Sequence, residues 1–143
     1  KMSKVNRDVA FLEVKNYLKN HLKKDFRRGQ MPDSKIEDEY LDLIEAVEDG
    51  LLVFDEKFKA NYKLREPLFS DKEDSSLAIK EVSIRSRIKA ADKHVLMDGL
   101  NVQKQLGTYT LRIIAHITQL SEVDVKELDK EDFDVLNQLC SVF

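Results

Sequence analysis

Three histidines, His21, His94 and His116, and one cysteine, Cys140, are the residues best suited to metal binding or nucleophilic chemistry. Their spacing argues against both. A metal site draws on three or four ligands, and these histidines are far apart, each within a helical pattern. His94 and Asp98 are four residues apart, which puts them on one helix face, but they make a pair where a site needs more. Cys140 lies in an apolar run with no basic residue within seven positions, so nothing there lowers its pKa toward a reactive thiolate. The run Asp71-Lys72-Glu73-Asp74-Ser75-Ser76 has the acidity of a calcium loop. Its sixth position is Ser76 instead of glycine, however, and its twelfth is Val82 instead of a bidentate glutamate. Gly29, Gly50, Gly99 and Gly107 form no phosphate-cradling motif. The carboxylates of residues 37–49 flank a full apolar stripe, so they read as a solvated helix face. The sequence thus predicts no catalytic residue, no cofactor and no metal, and hence a protein that is not an enzyme.

The elements that would carry any other function follow from periodicity. Apolar residues at Val5, Val9 and Leu12, and at Phe11, Val14, Leu18, Leu22 and Phe26, predict one amphipathic helix over about residues 5–28, stopped by Gly29. Ser34 and Glu37 make a capping box for a second helix, with Ile36, Tyr40, Leu43, Ile44 and Val47 inward and Gly50 at its end. The period then changes. Residues 51–54 are a short apolar run, Asp55-Glu56-Lys57 can turn, and Phe58, Ala60, Tyr62 and Leu64 alternate with polar residues. Pro67, lacking an N–H, should end that strand's pairing. Residues 69–76 read as a loop and 79–88 as a further strand. Helices are expected over Ala90 to Asp98 and over Gln105 to Leu120, the latter as the central core helix. A short helix capped by Ser121 would bury Val123, Val125 and Leu128. A last helix is capped by Asp129 with Asp132 as its N3 carboxylate. The expected fold is α+β: a small antiparallel β-meander between two N-terminal helices and a C-terminal helical group. Residues 1–61 (N-terminal helical segment and first strand) and 62–143 would form one compact domain.

Composition sets the class. With 143 residues, 42% hydrophobic and 36% charged, the chain can build one core and leaves long solvated helix faces. A domain of this size buries roughly two-thirds of its unfolded surface. The lone cysteine cannot form an internal disulfide, no stretch approaches the ~20 apolar residues of a membrane span, and the first residues lack a signal peptide's apolar core. These features predict a cytoplasmic protein without a membrane partner. The net charge of −3 hides an asymmetry, because residues 1–31 carry +6 and residues 32–143 carry −9. Two faces that attract each other within the fold explain this best. The alternative is a nucleic-acid-binding accessory protein that uses Lys19, Lys23, Lys24, Arg27 and Arg28 against phosphates. It lacks a recognition helix and aromatic–basic interleaving, which makes it the weaker reading.

From Tyr62 onward the chain resembles the tail assembly chaperones of Mu-like, long-tailed phages. Tyr62-Lys63-Leu64-Arg65-Glu66-Pro67-Leu68 matches the opening strand, and Ile79-Lys80-Glu81-Val82-Ser83-Ile84-Arg85, followed by Ala91-Asp92, matches the next. Residues 109–121 (YTLRIIAHITQLS) and 125–136 (VKELDKEDFDVL) match the family's C-terminal helices, the second through the pattern L-x-x-x-D-F-x-x-L. The resemblance covers about 82 residues (62–143), and residues 1–61 lie outside it. It implies a non-enzymatic phage or prophage protein of the host cytoplasm, absent from the mature virion. Such a protein binds the tape measure protein and keeps it soluble during virion assembly. The tail tube protein and further copies of the chain are the other partners to consider. The family offers no catalytic or metal residues. Releasable binding favours modest apolar patches with charged rims. Phe11, Leu18, Leu22 and Phe26 on the first helix and Phe133, Leu136 and Phe143 on the last are the partner-binding candidates.

Overall fold

The computed structural model describes residues 4–69 and 78–143. Eight helices and three strands follow in order among them: α1 (Arg7–His21), α2 (Lys23–Arg27), α3 (Asp33–Glu39), α4 (Leu41–Glu48), β1 (Leu52–Phe54), β2 (Ala60–Leu68), β3 (Ile79–Ser83), α5 (Ala90–Met97), α6 (Leu106–Thr118), α7 (Glu122–Lys126) and α8 (Lys130–Cys140). The sheet is an antiparallel meander in the order β1-β2-β3. This is the α+β class that the sequence predicts. No helix among the described residues is long and apolar enough to cross a membrane. The acidic run of residues 71–76 and most of the expected 69–76 loop lie outside the described residues.

The N-terminal half departs from expectation at two breaks. The single helix of residues 5–28 is two, because Leu22 leaves helical geometry at φ −114°, ψ 45°. The second helix is also two, broken at Tyr40 (φ −124°, ψ 26°). The Ser34–Glu37 capping box does not form. Pro32, fixed at φ −67°, occupies the N-cap position, so Ser34 falls inside the first turn and no side chain caps α3. Gly29 and Gly50 end their helices at φ 67° and 75°, a conformation that costs glycine little.

Asp55 closes the β1–β2 turn by accepting from the N–H groups of Lys57 (2.8 Å) and Lys59 (2.9 Å). Phe58 takes φ 60° in that turn, so β2 starts at Ala60 and not at Phe58. Pro67 does not end the strand either. The β2–β3 register shifts between Lys63 and Leu68 and resumes with Leu68 opposite Ile79. The shifted stretch takes its partner from α8. Asp132 accepts from Tyr62 Oη (2.6 Å), Arg65 N (2.9 Å) and Glu66 N (3.1 Å). In a regular strand consecutive N–H groups point to opposite edges, so one acceptor taking both marks a bulge. Asp132 is therefore a fully buried anchor and not the solvated half of a capping box; Asp129 alone caps α8, at Glu131 N.

The core draws from both 1–61 and 62–143. It includes Val14, Leu18, Leu43 and Ile44 from the first part and Tyr62, Ile114, Ile117, Leu136 and Leu139 from the second. Gln138 ties α8 to α4, accepting from Leu43 N in that helix's first turn (3.2 Å) and donating to Asp42 (2.9 Å). Only the C-terminal half of α6 is core: Ile113, Ile114, Ile117 and Thr118 are buried, while Leu106 is 60% exposed. The third strand stops at Ser83, with one further bond from Ile84 N to Ala60 O, and Ile88 lies beyond it. Ser121 caps α7 at Asp124 N, 3.0 Å. Val125 is buried there but Val123 is 68% exposed, because a five-residue helix has room for one inward position. Ser121→Ala is expected to cost about 1 kcal/mol of unfolding free energy, read from urea denaturation.

Candidate partner-binding site

α1 carries two apolar stripes. Ala10, Val14, Tyr17 and Leu18 face the core. Val9 and Leu12 are 43% and 55% exposed, so the stripe expected to be continuous is split between core and surface. α1 packs against α4, and between α1 and the α3–α4 pair runs a groove of about 640 Å³. Phe11, Leu12, Leu41 and Ile44 form its apolar lining, and Arg7, Asp8, Asp33 and Glu37 its charged rim. Ile44 is buried at its base, whereas Leu12 and Leu41 present surface.

Ion pairs hold the rim in place. Arg7 meets Glu48 at 2.7 Å and Glu45 at 3.9 Å, and Lys15 meets Asp33 at 2.8 Å. The hydrogen bond that Arg7 donates to Glu48 is the main reason the Arg7 pKa is raised. The basic front of the chain and its acidic body are thus joined within the fold at these residues, although exposed pairs of this kind add little stability. Lys23, Lys24, Arg27 and Arg28 are exposed and have no ion-pair partner among the described residues.

Of the seven partner-binding candidates, only Phe11 lines the groove. Leu18 and Leu136 are fully buried and present no surface. Leu22, Phe26, Phe133 and Phe143 are half-buried against the core. The Lys19 ammonium lies 6.0 Å from the centre of the Phe26 ring. Leu41 was the residue missed: it is a lone apolar position beside an acidic helix face, and no spacing rule marks it. Leu12 was visible as part of the first apolar stripe.

A second cleft, about 360 Å³, is lined mainly by carboxylates, among them Asp42, Glu45, Glu131 and Asp134. Arg65 sits among them, 2.7 Å from Asp49 and 3.6 Å from Glu131. No group of three or more His, Cys, Asp or Glu among the described residues is placed to hold a metal ion. Cys140 is buried, its thiol pushed up to about 11 by desolvation.

His21 ends α1 in an aromatic cluster, 4.5 Å from the Tyr17 ring and 5.3 Å from Phe143. Burial is the main cause lowering its pKa, the Phe58 backbone opposes this, and the charge of Lys23 adds to it. The folded state therefore favours neutral His21. Its contribution is complete above the ordinary value of 6.5 and is lost as pH falls from there through the lower folded value. Urea midpoints should fall between pH 7.5 and 5 by more in the wild type than in His21→Phe; equal falls would contradict the assignment.

Comparison with known proteins adds no relative: no protein-family model, curated protein or solved structure matches the chain.

Proposed function

We propose that this chain is a non-enzymatic tail assembly chaperone of a long-tailed phage or prophage, which binds the tape measure protein in the host cytoplasm and keeps it soluble until the tail tube forms around it. The groove between α1 and α3–α4 carries this reading, because its apolar lining and charged rim suit the apolar stripe of a partner helix. A rim of exposed ion pairs favours a contact that can be released. Within residues 62–143, the Tyr62 hydroxyl and the backbone N–H groups of Arg65 and Glu66 in the first segment all meet the buried Asp132 carboxylate of the last.

The test is co-expression with the tape measure protein encoded beside this gene. That protein should stay soluble and co-purify only when this chain is present. If it is insoluble, or unbound, in both cases, the reading fails. The alternative, nucleic-acid binding, is favoured by Lys23, Lys24, Arg27 and Arg28, which are exposed and have no ion-pair partner among the described residues. It predicts retention on DNA that is lost steeply with salt, whereas an apolar groove contact should depend on salt much less.

A further inference from the structure

The α1/α3–α4 groove carries more carboxylates than cations. α1 runs antiparallel to α3–α4, since Arg7 meets Glu48 at one end and Lys15 meets Asp33 at the other. Among the charged residues that line the groove and those they pair with, two cations, Arg7 and Lys15, stand against five carboxylates, Asp8, Asp33, Glu37, Glu45 and Glu48. The excess is three negative charges. α1 and α3 also begin at the groove, and their N-terminal turns offset roughly half a unit each, so the sign stays negative.

Two of the five carboxylates lack a short-range partner. Asp8 and Glu37 are exposed and make no ion pair or side-chain hydrogen bond among the described residues. Glu37 acts on Arg7 only as the last of three carboxylates, after Glu48 and Glu45. Both line the groove next to its apolar surface. Asp8 is one turn before the exposed Leu12 on α1, and Glu37 shares the opposite wall with the exposed Leu41.

We infer that the groove selects, among amphipathic helices, one whose apolar stripe is flanked by lysine or arginine, with Asp8 and Glu37 as the residues that read the flanks. The inference rests on the groove being a helix-binding site and adds which helices it takes. Apolar contact with Phe11, Leu12 and Leu41 would hold any amphipathic helix. The rim discriminates, because a carboxylate brought beside Asp8 or Glu37 is repelled and an ammonium is attracted. Each exposed pair is weak, so the choice comes from several acting together. Nucleic acid and anionic lipid carry the wrong sign for this rim. The α2 helix of a second copy carries cations but no exposed large apolar side chain.

The test uses two helical peptides with the same leucine stripe, flanked by lysine in one and by glutamate in the other, and fluorescence anisotropy with the full chain. The wild type should bind the lysine-flanked peptide about tenfold more tightly at low salt, and the gap should narrow as salt screens the rim. The double variant Asp8→Lys/Glu37→Lys should reverse the preference. Glu131→Lys, which changes a carboxylate of the other cleft, should keep it and so excludes general attraction to an acidic protein. Circular dichroism checks that the variants fold, since all three positions are exposed. Equal binding of the two peptides overturns the inference, as does binding of neither, a preference that survives the double variant, or one that Glu131→Lys removes. Self-association of the chain alone that Leu12→Asp abolishes would make a second copy the occupant and overturn it too. Co-expression separates this from the functional proposal. If the preference holds and reverses but the wild type does not solubilise the tape measure protein, the chaperone reading fails and the inference stands. If the tape measure protein is solubilised but the peptides bind equally, the inference fails and the reading stands.

Discussion

Replacing Asp132 with alanine is expected to lower the unfolding free energy by about 3–4 kcal/mol, because three donors lose their acceptor at once. The Tyr62 hydroxyl suffers most. It is fully buried, and burial, followed by its hydrogen bond to Asp132, raises its pKa well above the ordinary value, so it remains a donor that must be satisfied. Arg65 N and Glu66 N are part-buried and recover some hydration. The loss also frees α8 from the bulge in β2, where strand pairing is already interrupted. Tyr62→Phe gives an internal check. It should cost about 1 kcal/mol in the wild type and less in Asp132→Ala, since the two groups share one hydrogen bond. Urea denaturation reads all three variants. A loss under 1 kcal/mol for Asp132→Ala would mean that water replaces the carboxylate.

Leu12→Asp is expected to abolish solubilisation of the tape measure protein while leaving stability within about 0.5 kcal/mol of the wild type. The reason is location. Leu12 is 55% exposed and lines the groove, so the substitution puts a charge where a partner helix needs apolar contact. Loss of one well-packed anchor of this kind weakens binding by roughly 2 kcal/mol or more, about thirtyfold. Leu18→Asp, by contrast, should unfold the protein, because Leu18 is completely buried. Comparing soluble tape measure protein and circular dichroism for both variants separates a docking role from a core role. If Leu12→Asp solubilises as well as the wild type, the groove is not the site.

The class of fold was legible because it rests on period. The step from helical spacing in residues 34–50 to alternation in residues 58–64 locates the sheet, and Gly29, Gly50 and Gly99 fall at helix ends with positive φ. The breaks at Leu22 and Tyr40 were not legible, since both residues continue an apolar stripe; only packing against other elements shows where each helix turns. Asp132 was misjudged for a related reason. Its place in the first turn of α8 matches a cap, and the donors that claim it come from a strand about seventy residues earlier. The groove was half visible: spacing put both Phe11 and Leu12 on the apolar side of the first helix and Phe11 among the partner-binding candidates, but which of two α1 stripes meets the core depends on where α4 lies.

Hydrogen exchange on the complex with a tape measure fragment tests the central claim most directly. Amides of α1 and of α3–α4 should exchange more slowly when the fragment is bound, while those of the basic α2 should not change. Slowing confined to α2 or α8, or no slowing anywhere, would contradict the groove as the seat of function.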